Sequence, residues 1–171
     1  MAKLDLALEK VLKNEGGYVL HAVKGDTGGQ TYAGIARNFH PTWLGWTFID
    51  RRDFNLDALK PLVEEFYLYN FWQRVKGNDI VDQEVAESIF DFAVNASVRV
   101  ASKLVQIIVG AKSDGIIGPM TIAKINEMDK DLFLAVFALA KIQRYVDLCN
   151  NSSRYRKFLL GWINRVMRGL S

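Results

Sequence analysis

Apolar positions along this chain recur mostly at helical spacing. Leu4, Ala7, Leu8, Val11 and Leu12 share one face of a first helix, with Lys3, Glu9, Lys10 and Lys13 on the wet side. Gly16 and Gly17 end it, as glycine does at helix C-termini. From Tyr18 to Thr31 the chain is punctuated by Gly25, Gly28 and Gly29 and follows neither the strand nor the helix period, which predicts a long functional loop with room for a small hairpin. A short helix is expected at about Tyr32 to Phe39, followed by an aromatic-rich connection around Pro41, Trp43, Gly45 and Trp46. Leu59, Leu62, Val63, Phe66, Tyr67 and Asn70 form the next stripe, capped by Asp57, with Pro61 near its first turn and Gly77 at its end. Asp82 caps a helix whose inner face is Val85, Ile89, Phe92, Ala93 and Ala96; Ala101, Leu104, Val105 and Ile108 continue in helical register to Gly110. Pro119 suits a first helical position, and long helical patterns cover about Leu132 to Cys149 and Arg156 to Leu170. No run of well-bounded alternating strands interrupts this pattern, so the expected fold class is mainly α.

Composition narrows the picture. With 171 residues, 50% of them hydrophobic, the chain can bury a real core, and general disorder is excluded. Cys149 is the only cysteine, so packing rather than an internal disulfide must hold the fold. Charged residues interrupt the leucines of the first eleven positions, unlike a secretory signal, and no segment approaches the roughly 20 apolar residues that span a bilayer. Cytoplasmic synthesis without stable membrane insertion is therefore expected, with release through a holin or another non-classical route if the target lies at the cell wall or in the periplasm. The net charge of +3 favours polyanions only mildly. A basic nucleic-acid binder rests on that charge alone, and none is expected. His21 and His40 have no ligand-spaced partner, so no metal is expected. Arg51, Arg52, Arg154, Arg156 and Lys157 either meet phosphate or wall carboxylates or form a solvated face.

One carboxylate stands out. Glu15 falls four residues after Val11 and three after Leu12, so it continues the apolar stripe of the first helix and should point inward. Partial desolvation, together with the negative end of the helix dipole, disfavours its ionised form, which is what a general acid requires. Asp26 and Thr31, on the glycine-rich loop, are placed to position water or to stabilise positive charge on a sugar. Read from spacing alone, Glu15 is equally an ordinary solvated helix-end residue. Tyr18 and Tyr32 flank the loop and are expected to line a sugar groove with Gln30, whereas Trp43, Trp46 and Trp72 are expected in the core. Asn95 either hydrogen-bonds an N-acetyl group or caps a helix.

The stretches Asn14-Glu15-Gly16-Gly17-Tyr18 and Gly25-Asp26-Thr27-Gly28-Gly29-Gln30-Thr31-Tyr32-Ala33-Gly34-Ile35 resemble the signature of glycoside hydrolase family 108, the lysozyme-like muramidases of phage endolysins and bacterial secretion systems. Asn70-Phe71-Trp72 and Asp91-Phe92-Ala93-Val94-Asn95 are similar to further family segments. Val100 to Gly110, Asp114-Gly115-Ile116-Ile117-Gly118-Pro119-Met120-Thr121 and Gly161-Trp162 resemble the predicted peptidoglycan-binding region that follows it. The family's loop is shorter and carries Asp-Pro-Gly-Gly; here ten residues separate Glu15 from Asp26, and Thr27 stands where the proline would be.

The resemblance implies a lysozyme-like helical fold, a catalytic region over 1–88 and a helical peptidoglycan-binding region over 89–171, packed as one compact unit. It implies a muramidase that cuts between N-acetylmuramic acid and N-acetylglucosamine, with Glu15 as acid, Asp26 and Thr31 assisting, and no cofactor. The expected partner is the peptidoglycan glycan strand, met by a monomer. A lytic transglycosylase and a non-catalytic wall-binding adapter are the rival readings.

Overall fold

The computed structural model describes residues 1–14, 16–22 and 28–169. By internal contacts the chain divides into two compact units, Lys3–Gln73 and Arg74–Ser171 with Met1–Ala2.

The first unit begins with α1 (Leu4–Asn14), which buries the expected stripe of Ala7, Leu8, Val11 and Leu12. Gly16 and Gly17 follow at φ +89° and +77°, and the Gly17 amide reaches back to the Leu12 carbonyl at 2.8 Å. This backward bond at a left-handed glycine pair is how a helix end satisfies an orphan carbonyl. A three-stranded antiparallel sheet comes next: β1 (Leu20–Ala22), β2 (Gln30–Tyr32) and β3 (Ile35–Ala36), in the order β1-β2-β3. The helix expected at Tyr32 to Phe39 is therefore a hairpin. Ala33 and Gly34 both have positive φ, 48° and 79°, between the paired residues Tyr32 and Ile35. That is the mirror-image two-residue turn whose twist suits antiparallel strands. The Tyr67 hydroxyl donates to the Ala33 carbonyl at 2.9 Å and is buried, so it ties down the non-glycine residue of this turn in its uncommon conformation.

Helices α2 (Gly45–Asp50) and α3 (Leu56–Tyr67) complete the unit. The cap of α3 is Asn55, not Asp57: its side chain accepts from the Asp57 amide, and Pro61 sits at the sixth helical position rather than in the first turn. A π-helical turn over Leu68–Trp72 widens the end of α3 and delivers Trp72 fully into the core. Trp46 is buried with its indole N–H on the His40 carbonyl at 2.8 Å. Trp43 is half-buried, bonds the Leu62 carbonyl and packs edge-on against Trp46. A Cβ at Gly45 would overlap the Trp43 ring, so only glycine fits there.

The second unit contains α4 (Gln83–Ala96), α5 (Val98–Ile108), α6 (Pro119–Glu127), α7 (Lys130–Asn151) and α8 (Leu159–Arg168), the last preceded by a 3-10 turn over Ser153–Phe158. Asp82 caps α4 as expected, accepting from the Val85 amide, and Pro119 opens α6. Ser97 alone separates α4 from α5. Its amide bonds the Ala93 carbonyl, its hydroxyl accepts from the Val100 amide, and its φ is +91°. Helices α4, α5, α7 and α8 pack as a bundle around Phe92, Phe133, Phe137 and Tyr145, with Trp162 stacked on Tyr145 at 4.8 Å. Asn126 of α6 donates to the Asp79 carbonyl and accepts from the Val81 amide, fixing the segment that leads into α4.

Candidate active site

Within the first unit the helix end, the glycine pair and the hairpin form one continuous stretch of chain. Glu15 and Asp26 lie outside the described residues, as does the Gly25 to Thr27 part of the loop. The other expected residues are placed. Thr31 is the middle residue of the central strand, opposite His21 on β1 and Ala36 on β3. Side chains alternate along a strand, and Tyr32 next to it points into the core, so Thr31 projects from the other face, where it is half-buried beside His21. The His21 imidazole leans over the glycine turn: its Nε2 lies 3.3 Å from where a Cβ on Gly16 would stand.

Gln30 is held from behind. Its Oε1 accepts from Arg37 Nη1 at 2.8 Å, and the same guanidinium grips both oxygens of Asp50 at 2.7 and 2.6 Å. Arg37 also lies over the Trp46 ring, 5.1 Å from its centre. The hydrogen bonds from Arg37 keep the Asp50 carboxyl below its usual range, and Asp50 in turn raises the guanidinium's affinity for its proton. A forked, charge-assisted pair fixes orientation as well as charge, so the Gln30 amide is pinned to α2. Sequence reasoning missed Arg37 and Asp50. They are 13 residues apart and on different elements, and no periodicity links them.

Gly28 and Gly29, just before β2, are equally fixed. The Gly28 carbonyl accepts from the Asn38 amide at 3.0 Å, and a Cβ on Gly29, whose φ is +70°, would stand 3.0 Å from the Asn38 side chain. The Gly-Gly pair therefore serves a close approach between the start of β2 and the turn after β3.

The two tyrosines part ways. Tyr18 is half-buried, and burial lifts its phenol above the usual range, with Glu64 and then Tyr32 adding to the effect. Tyr32 is 1% exposed with its ring on Trp43 at 6.1 Å. A ring so enclosed has no face open to a sugar, so Tyr32 is a core residue and not the groove-lining one expected. His40 likewise packs edge-on to Phe66 at 4.7 Å, and burial lowers its imidazole pKa.

Asn95 belongs to the second unit, where it is exposed and its Oδ1 accepts from the Tyr145 hydroxyl at 3.1 Å. Burial pushes that phenol up to about 12, so it remains a donor at any physiological pH. The Asp114 to Pro119 segment of this unit is a locked turn. Gln106, itself buried, donates to Asp114 Oδ1 at 2.9 Å and to the Ile116 carbonyl at 3.0 Å, and accepts from the Gly115 amide at 2.8 Å. Asp114 is thus tied inside the turn: the Gln106 amide and then the Ile116 amide hold its carboxyl low.

Among the described residues no cluster of His, Cys, Asp and Glu has the spacing to hold a metal ion, and no helix is long and apolar enough to cross a membrane.

Comparison with known proteins gives these geometries a family. Residues 8–96 match the model for glycosyl hydrolase 108, and residues 100–167 match a predicted peptidoglycan domain. The solved structure of Brucella abortus SagA is similar over 97% of this chain and 90% of that one, at 26% identity and a TM-score of 0.71. A comparison with curated proteins returned no match. The mainly helical, lysozyme-like fold expected above, with its small hairpin sheet, is thus the fold of this protein. With more than half its length in the first match and a wall-binding segment in the second, the chain belongs to glycosyl hydrolase family 108 and is a glycoside hydrolase that acts on peptidoglycan.

Proposed function

We propose that the protein is an N-acetylmuramidase that hydrolyses the bond between N-acetylmuramic acid and N-acetylglucosamine, with Glu15 as general acid. The observation that carries this reading is the order of parts inside the family match. Helix α1 closes at Asn14 on a left-handed glycine pair, and a hairpin follows whose central strand projects Thr31 away from the core. Glu15 falls in sequence between that helix and that glycine pair. The carbonyls that end a helix carry partial negative charge, which favours a protonated carboxyl beside them.

In the proposed reaction Glu15 gives its proton to the glycosidic oxygen as the bond from that oxygen to C1 breaks. The sugar that leaves carries the new hydroxyl. Water adds its oxygen to C1, and the proton it loses restores the acid. Asp26 or Thr31 positions that water or steadies the positive charge that develops on the ring. Gln30, held by Arg37 and Asp50, and half-buried Tyr18 supply sugar contacts. The protein then works at the cell wall or in the periplasm, where its substrate is.

Glu15→Gln keeps the shape and removes the proton. Clearance of purified peptidoglycan is expected to fall by about 10²- to 10⁴-fold, the usual contribution of general acid catalysis. A folded variant that clears at the wild-type rate ends the assignment. Mass analysis of the muropeptides released by the wild type distinguishes the products: reducing ends support hydrolysis, and anhydro sugars replace it with transglycosylation. Sedimentation with peptidoglycan without any clearance by the wild type replaces it with an adapter.

A further inference from the structure

The last stretch of the second unit, which falls largely inside the peptidoglycan-domain match, has a surface chemistry of its own. Between Leu148 and Ser171 the sequence has no Asp or Glu and five cations: Arg154, Arg156, Lys157, Arg165 and Arg168. Arg165 is committed inward, gripping Asp91 at 2.8 and 3.1 Å. Arg154, Arg156, Lys157 and Arg168 are exposed. Helix α8 spends its inner face on Val166, which is buried, and on Trp162, which stacks on Tyr145. Its outer face is not simply polar. Leu160 and Met167, seven residues apart and so on the same side of the helix, are 72% and 54% exposed, and Phe158 just before the helix is 47% exposed. Lys157 lies over the Phe158 ring at 4.9 Å, and Arg154 over Tyr155 at 4.6 Å, so cations and apolar groups are interleaved. A depression of about 550 Å³ lined by Gly161, Asn164, Met167 and Arg168 opens on this side.

We propose that the outer face of the Ser153–Phe158 turn and α8 is a docking surface for an anionic phospholipid membrane, on which the protein lies without inserting. Charge complementarity selects an anionic surface. The exposed Leu160, Met167 and Phe158 select a lipid one, because a water-soluble polyanion gains nothing from leucine and methionine, whereas a bilayer interface takes in apolar side chains beneath cations that reach the headgroups. Because no described helix can span a bilayer, adsorption at the surface is the mode that remains for this face. Glu15 takes no part in this docking.

The test uses the full-length protein and flotation with vesicles of phosphatidylcholine alone or with one third phosphatidylglycerol, at low and at physiological salt. Binding is expected only to the phosphatidylglycerol vesicles. At about five-fold per cation near such a surface, Arg156→Gln with Lys157→Gln should weaken it by about 25-fold. Leu160→Ser with Met167→Ser should weaken it by several-fold at the same net charge. Both double variants should unfold at the wild-type temperature. Equal binding to neutral vesicles, no binding to anionic ones, or full binding by the Leu160 and Met167 variant would each overturn the proposal. So would loss of peptidoglycan clearance in step with vesicle binding, because the face would then belong to the wall site.

Discussion

Replacing Lys141 with methionine should make the protein more stable, although it deletes a hydrogen bond. Lys141 lies on the inner side of α7, 7% exposed, with its ammonium over the rings of Phe137 at 4.6 Å and Phe92 at 6.0 Å and donating to Ser88 Oγ at 3.1 Å. Burial lowers its pKa from 10.5 to about 8; the opposing effects of Asp91 and Arg165, which are paired with each other, are secondary. At about 1.4 kcal/mol per pKa unit, holding the charge inside costs roughly 3 kcal/mol, and attraction to the two rings returns about 1 of that. The sign follows from proton binding. Below pH 8 the lysine is charged in both the folded and the unfolded chain, and the whole penalty is present. Between about 8 and 10.5 the unfolded chain holds a proton that the folded one has released, so wild-type stability rises with pH. Lys141→Met, which suits a site walled by two phenylalanines, is free of this term. Urea unfolding of both proteins at pH 6.5, 7.5, 9 and 10.5 isolates it from the other lysines and tyrosines, because only the difference is used. The variant should lead by about 2 kcal/mol at pH 7, and the gap should close across pH 8 to 10.5. A variant less stable than the wild type at pH 7, or a difference that does not move with pH, would refute the reasoning.

The other predictions concern hydrogen bonds that hold turns. Gln106→Leu keeps the volume but strips three bonds from the Asp114 to Ile116 turn. The protein should lose about 2–3 kcal/mol in chemical unfolding, and a loss under half a kcal/mol would mean that the turn stands without it. Tyr67→Phe leaves the Ala33 carbonyl without its buried donor. It should cost about 1–2 kcal/mol and speed amide exchange at Gly34 and Ile35; unchanged exchange would show that the turn does not depend on the clamp.

Much of the helical layout could be read from the chain because local signals and packing agreed. Asp82 at an N-cap, Pro119 at a first position, and the glycine pair after α1 each act within a few residues, and the structure places them as the pattern required. The stretch after Thr31 misled because Tyr32, Ile35, Ala36 and Phe39 recur at helical spacing while the backbone between them turns through two left-handed residues. Only Gly34 signalled this, since alanine at φ 48° gives no compositional hint. Lys141 was detectable: it interrupts the four-residue recurrence of Phe133, Phe137, Tyr145 and Cys149 on the buried side of α7. The Arg37 and Asp50 clamp was not, because it depends on how a hairpin meets a helix. Thr31's outward face followed from strand alternation once the strand itself was known.

Ser97 bears on how such proteins can be recombined. The glycosyl hydrolase match stops at residue 96 and the peptidoglycan match begins at 100, so the seam between the two matched segments falls on residues 97–99, and Ser97 finishes one helix and starts the next. Physically there is no seam. Helices α4 and α5 pack on each other and on α7 inside one unit. A graft made at that point would bare Ile89, Phe90 and Phe92 to water, so wall-binding modules cannot be exchanged here as beads on a string. The workable splice lies upstream, near Gln73 and Arg74, where the chain passes from one compact body to the other.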